Sequence, residues 1–441
     1  MTPLTIPEMD LAPSIERPRQ GTDAVTLLTW YVFLLMLIPS PLVLNTLGSA
    51  GSPATMLAAV FFFWYLVTRL TPSLTLSRGH QPIRIAGVLF GCGIVASYIS
   101  VNRHSLSTLQ QDGVDVGLIL VAGWLGILFL ASDGITSIER LTVLLRRIVT
   151  GATVMGTIAI AQFFTGLNVA AYVTIPGLTA QVPYSALASR DSLNRPSATA
   201  LDPIELAAVL VVALPIAIHR ARFAPPGRRF RRWLQVVVIG AAIPLTLSRT
   251  AFTALAAVAL VLLPTWPRKD RWLAYVCGLF GAVAAAAVPS LLGTISSLFL
   301  QIGTDSSTLS RTSAFTLGGP FIGQNPWLGL GFNAFFPQTY FFTDDQYLNS
   351  LISTGAVGLV TLMALFVTGW LTVRSARRSI ADPQTRDLAQ TLAAAIAAVA
   401  VSFASLDSFS FPIISGMTFL VLGCIGALWR LTRESLPIPG L

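Results

Sequence analysis

The chain has 441 residues, of which 54% are hydrophobic and only 11% charged, and its formal net charge is +9. Soluble domains run near a quarter charged, so this composition excludes a water-soluble globular protein and calls for a membrane protein. The positive charge does not point to nucleic acid, because the arginines stand in short clusters between apolar runs, as they do in cytoplasmic loops of membrane proteins.

Residues 1–23 mix charges with five prolines or glycines and contain no basic segment followed by a short apolar run. They read as a disordered cytoplasmic tail rather than a cleaved signal. An apolar helix needs about 20 residues to cross the hydrocarbon layer. Twelve segments meet that need, near 25–44, 52–70, 83–101, 114–131, 145–165, 204–220, 233–248, 250–266, 271–292, 347–373, 386–406 and 411–430. The expected fold is therefore all-α: a polytopic membrane protein of about 12 transmembrane helices. A single transmembrane domain spans 24–431, with external loops at 166–203 and 293–346 and a cytoplasmic tail at 432–441. The second, longer loop lies between helices 9 and 10.

Orientation follows from loop charge. With the amino terminus inside, every inner loop is basic, from Arg69, Arg78 and Arg84 through the run Arg220 to Arg232 to Arg374, Arg377, Arg378 and Arg386. The outer loops carry far fewer positive charges, and both termini are cytoplasmic. The inner turns are short and no G-x-x-x-x-G-K-[ST] sequence is present, so chemistry driven directly by ATP is not expected. Small-residue spacing at Gly117, Gly123 and Gly126 suits close helix packing.

Charges facing the outer side are the candidates for chemistry, because charge at membrane depth is expensive. Arg249 sits in LTLSRTAFTAL, where almost no loop separates two apolar helices, and must face water, a carboxylate or an anionic ligand. Arg195 precedes ATALDPIELA on a loop able to fold over a helix end; there Asp202 fits the N-cap, Pro203 the first helical position and Glu205 an acidic analogue of the capping box. Arg311 follows a hydroxyl-rich run and either pairs with Asp305 or lines a polar substrate. Asp344 and Asp345 directly precede an apolar helix, which makes them a cap, or else a general base whose pKa a like charge and low-dielectric surroundings raise. His80, His104 and His219 lie in separate loops without metal-ligand spacing, so no metal is expected.

In this order the residues resemble the O-antigen ligase and polymerase superfamily of bacterial membrane glycosyltransferases. The resemblance rests on a loop Arg before P-x-E-L-A (Arg195, Pro203 to Ala207) and SRTA at Ser248 to Ala251. It continues through S-S-x-x-x-R (Ser306 to Arg311), NPWLGLGFNAF (Asn325 to Phe335) and DDQYLNSLISTGAVGL (Asp344 to Leu359), and it covers roughly the second half of the chain. It implies a polyprenyl-diphosphate-linked glycan donor, usually on undecaprenyl diphosphate, a glycan acceptor, and inverting transfer on the external face of the inner membrane without metal or other cofactor. It implies that Arg195 and Arg249 hold the diphosphate, with Arg311 placed beside them, and that membrane lipids and polysaccharide-assembly proteins are the surroundings. Ligases of the family carry His-Asn where this chain has Asp344-Asp345, whereas polymerase-like members carry Asp-Asn or similar pairs. The expected activity is therefore polymerisation of repeat units into a surface polysaccharide, with ligation of finished glycan as the alternative and transport of an anionic solute as a rival of another class. A carboxylate then replaces histidine as base, with Asp344 the leading candidate. Trp327, Phe332, Phe335, Phe336, Tyr340 and Phe341 fit either sugar stacking or an interfacial aromatic belt.

Overall fold

The computed structural model describes residues 23–71, 79–102, 106–181, 187–190, 192–288, 290–300 and 306–434. Asp305, His104, most of the amino-terminal tail and residues 435–441 lie outside the described residues, as do the side chains of 306–309.

Each of the twelve expected segments is a helix. In chain order these are α1 (Ala24–Leu37), α2 (Pro53–Leu70), α3 (Pro82–Val101), α4 (Thr108–Gly134), α5 (Ile138–Thr165), α6 (Pro203–Arg222), α7 (Arg229–Leu245), α8 (Arg249–Leu262) and α9 (Arg268–Ala287). Two further helices, α10 (Leu291–Leu300) and α11 (Ser306–Gln324), occupy the expected external loop before α12 (Gln346–Ser379), α13 (Pro383–Phe403) and α14 (Pro412–Glu434). The chain is thus an all-α, multi-pass membrane protein. Among the described residues, eight helices are long and apolar enough to span: α2 to α6 and α12 to α14. Of the others, α1 and α8 have 14 residues each, α7 has 17 with three arginines in its first turn, and α9 opens on Arg268, Lys269, Asp270 and Arg271.

Two helices form the centre. Almost every side chain of α6 and α14 is buried, as expected of helices apolar on all faces. Around them α14 packs on α4, α4 on α2, α13 on α6 and α8, and α12 on α3. The glycines sort into two contacts: Gly123 and Gly126 admit the backbone of α2, while Gly117 admits the carbonyl of Phe332, so part of the small-residue stripe serves a loop rather than a helix.

One helix is broken where that loop lands. In α12, Gly355 has φ +65°, and a Cβ there would collide with the Trp327 carbonyl carbon. The amides of Leu330 and Gly331 donate to Ile352 and Ser353 oxygens, and those of Ala356 and Val357 donate to Pro326 and Trp327 oxygens, at 2.8 to 3.1 Å. Irregular backbone at membrane depth is tolerated only when its polar groups are satisfied within the protein, and NPWLGLG satisfies them here. Two short antiparallel strand pairs complete the described loops: β1 (Leu42–Val43) pairs with the distant β2 (Thr179–Ala180), and β3 (Ala188–Arg190) forms a hairpin with β4 (Leu193–Arg195).

Candidate active site

The β3–β4 hairpin brings the first arginine in. Its register pairs Ala188 with Arg195 and Arg190 with Leu193, so with a period of 2 the side chains of Arg190 and Arg195 share one face. Arg195 Nε donates to the Thr246 carbonyl oxygen at 3.2 Å, at the end of α7. Burial draws Arg195 below the ordinary arginine value, Asp202 opposes that, and Arg190 adds to it.

Thr246 to Ser248 form the corner at which Arg249 stands. Leu247 adopts φ +50°, a left-handed conformation unusual for a branched side chain, and this turns the chain directly from α7 into α8. Arg249 is therefore the first residue of α8, three positions from the carbonyl that holds Arg195, and the like charges acting on it are Arg190 and Arg311.

Arg311 arrives from α11. Its Nη2 donates to the Ser405 carbonyl oxygen at 3.0 Å, and the Ser405 hydroxyl bonds Thr250 Oγ1 at 2.9 Å. The loop between α13 and α14 thereby joins α11 to the start of α8. Two residues on, Asp407 of the same loop is 7% exposed and accepts the Thr343 hydroxyl on both carboxylate oxygens at 2.6 Å, plus the Asp345 amide at 3.3 Å. Burial pushes the Asp407 carboxyl up to about 6; the Thr343 hydroxyl holds it down, the neighbouring Asp344 charge raises it further, and the amides of Asp345 and Asp344 lower it.

The adjacent aspartates separate into different environments. Asp345 is the N-cap of α12, with Oδ1 accepting the amides of Tyr347 at 2.8 Å and Leu348 at 3.2 Å. Burial raises its carboxyl, while those amides and the Arg311 charge lower it. Asp344 is half-buried with φ +48°, and its Oδ2 lies 3.5 Å from the Ser310 hydroxyl. Non-glycine residues held at positive φ cost energy and cluster at functional sites, although Asp tolerates this region better than most.

The structure thus brings Arg195, Arg249 and Arg311 together around the α7–α8 corner and the 404–411 loop, with Asp344 and Asp345 beside Arg311. The sequence pattern singled out neither Arg190 nor Asp407. The alternation of the hairpin could have marked Arg190; nothing local marks Asp407, which becomes part of the site only by long-range contact. Among the described residues no three His, Cys, Asp or Glu side chains group so as to hold a metal ion.

Two of the expectations at this end take a different form. Asp202 caps α6 through the Ile204 amide at 2.7 Å, with Pro203 at the first helical position, as anticipated. Glu205, however, accepts from Leu201 rather than from the cap residue, and its other oxygen takes the amides of Ile413 and Ile414 at 2.6 and 3.3 Å. One fully buried carboxylate therefore serves the starts of both central helices. The aromatics also divide: Phe332 and Phe335 are buried, Phe332 edge-on to Trp124 and Phe335 stacked on Tyr340 at 5.0 Å, whereas Trp327 is 70% exposed.

No curated protein matches the chain. The family model for O-antigen ligase matches residues 234–363, from α7 into α12, the stretch that holds Arg249, Arg311, Asp344 and Asp345. Over these 130 of 441 residues the chain is similar to the O-antigen ligase family.

Proposed function

We propose that this protein polymerises oligosaccharide repeat units carried on a polyprenyl diphosphate, by inverting transfer at the outer membrane face. The observation that carries the reading is the convergence of Arg195, Arg249 and Arg311 from a hairpin, a helix corner and α11 onto one patch, next to a half-buried carboxylate. A hydroxyl of the acceptor unit attacks the donor's anomeric carbon, the bond from that carbon to the diphosphate oxygen breaks, and the diphosphate leaves with the electron pair. Arg195 and Arg249, with Arg190 behind them, meet the two phosphates, and fixed guanidinium charge is worth most where water is thinned out. Asp344 takes the hydroxyl proton, because its carboxylate is not enclosed and caps no helix, whereas Asp345 holds the start of α12 and Asp407 is enclosed. Arg311, tied to Ser405, positions the acceptor side. Positioning two large substrates supplies most of the remaining rate.

Single substitutions Arg195→Ala, Arg249→Ala and Asp344→Ala, with membrane insertion verified and surface polysaccharide run on a gel, test this reading. Loss of long chains with single lipid-linked units remaining is the expected outcome. Unchanged chain length in all three variants would refute it. The description of the matching family as a ligase favours one second reading, transfer of finished glycan to another acceptor. That reading predicts accumulation of long lipid-linked polymer instead.

A further inference from the structure

At the end of the bundle away from Asp344 and Asp345, α3, α4 and α14 form a half-open pocket of about 190 Å³ whose lining includes Gln81, Arg84, Asp133, Arg430, Arg433 and Glu434. Along α4, Gln110 touches Tyr340 beside the candidate active site and Asp133 lies 23 residues further on, roughly 35 Å at 1.5 Å per residue. The pocket is therefore separate from that site.

Its polar groups are unevenly served. Asp133 is 4% exposed and concentrates its donors on one oxygen: Oδ2 accepts from Tyr65 at 2.8 Å, Arg84 at 2.9 Å and Arg69, while the buried Oδ1 accepts from nothing. Gln81 is 2% exposed, and its amide donates to the Ser132 carbonyl at 3.3 Å, yet its buried Oε1 also has no donor. Two buried acceptors in one cavity call for something that donates. Charge makes a second demand. Arg69, Arg84, Arg430 and Arg433 stand against Asp133 and Glu434, an excess of two positive charges, and Arg433 has no carboxylate partner among the described residues, lying 4.2 Å from the Trp429 ring centre. Water would satisfy the acceptors but not the charge. An ammonium group would donate, but beside an aspartate that already carries two arginines.

We propose that this pocket binds the head group of an anionic phospholipid that also carries free hydroxyls, of the phosphatidylglycerol type. The phosphodiester faces Arg430 and Arg433, and the glycerol hydroxyls donate to Asp133 Oδ1 and Gln81 Oε1. Basic pockets between membrane helices suit anionic head groups. A water occupies about 10–15 Å³ of such volume, so the cavity has room for a phosphoglycerol group.

The test needs no glycan substrate. The full chain is purified and offered equal amounts of phosphatidylglycerol, phosphatidylmethanol and phosphatidylcholine, and the lipid retained is counted by native mass spectrometry. Phosphatidylmethanol keeps the charge and lacks the hydroxyls. The expected result is one retained phosphatidylglycerol, favoured about tenfold over phosphatidylcholine and about fivefold over phosphatidylmethanol. Arg433→Ala should weaken retention of both anionic lipids, and Gln81→Leu should remove the preference between them while leaving the preference for anions. Equal retention of phosphatidylglycerol and phosphatidylmethanol by the unaltered protein would overturn the proposal, and so would equal retention of all three lipids. The lipid comparison on the unaltered chain decides the matter even if Gln81→Leu does not fold.

Discussion

Replacing Asp407 with asparagine separates burial from chemistry at the centre of the site. The carboxyl is lifted from its ordinary 3.8 to about 6, mainly by burial. That rise disfavours the ionised form by about 3 kcal/mol. Because the folded-state pKa is the higher one, the group's stabilising contribution is present when the carboxyl is protonated, below about pH 4, and is lost as pH rises through about 6. At pH 7.5 the folded protein therefore carries a buried negative charge that asparagine would not. The asparagine oxygen still accepts a hydrogen bond, and the Thr343 hydroxyl, now 2.6 Å from both carboxylate oxygens, can turn to accept one. Asp407→Asn should raise the unfolding temperature at pH 7.5, with about 3 kcal/mol as the ceiling, and the difference should vanish near pH 3. Thermal unfolding of both proteins in one detergent at the two pH values measures this. Equal destabilisation at both would refute the reasoning, since the hydrogen bonds to Thr343 and Asp345 would then outweigh the cost of burial.

Three further outcomes are expected. Asp344→Asn should abolish glycan transfer with little change in unfolding temperature, whereas Asp345→Asn should leave the α12 cap largely intact and Asp345→Ala should cost about 1 kcal/mol of stability, as read by thermal unfolding of the three variants. Glu205→Ala should destabilise by several kcal/mol, because it leaves the amides of Leu201, Ile413 and Ile414 buried without acceptors, and the yield of monodisperse protein on size-exclusion chromatography should fall accordingly. Gly355→Ala should lower that yield too, because the residue sits at φ +65° with no room for a Cβ, while Gly240→Ala, where a Cβ meets nothing within 4 Å, should be neutral or slightly stabilising.

The helices were legible because membrane spans are written as length and hydropathy: all twelve segments contain a helix, though ends differ by up to seven residues, as where α1 stops at Leu37 instead of 44 and α5 starts at Ile138 instead of 145. What hydropathy does not encode is non-periodic backbone. The split of the 293–346 stretch into α10 and α11, and the docking of NPWLGLG across the break in α12, depend on backbone hydrogen bonds between Trp327 and Val357 or Gly331 and Ser353 that no local pattern announces. The arginines were legible because a charge at a helix corner has few bland explanations. Asp407 was not, because SLDSFS reads as an ordinary polar turn until Thr343 meets Asp407 from 64 residues away and Arg311 meets Ser405 from 94. Glu205 shows the reverse case: its local role was readable, while its service to α14 comes from a contact 208 residues distant.

The central claim is that the arginine patch and Asp344 lengthen a glycan carried on a polyprenyl diphosphate. Reconstitution of the purified protein with a synthetic polyprenyl-diphosphate oligosaccharide as the sole glycan, followed by mass analysis of the lipid-linked products, tests it most directly. The account predicts a ladder of two or more repeat units from the unaltered protein and none from Arg249→Ala or Asp344→Asn. A ladder of undiminished yield from both variants, or no lengthening by a folded unaltered protein, would contradict it.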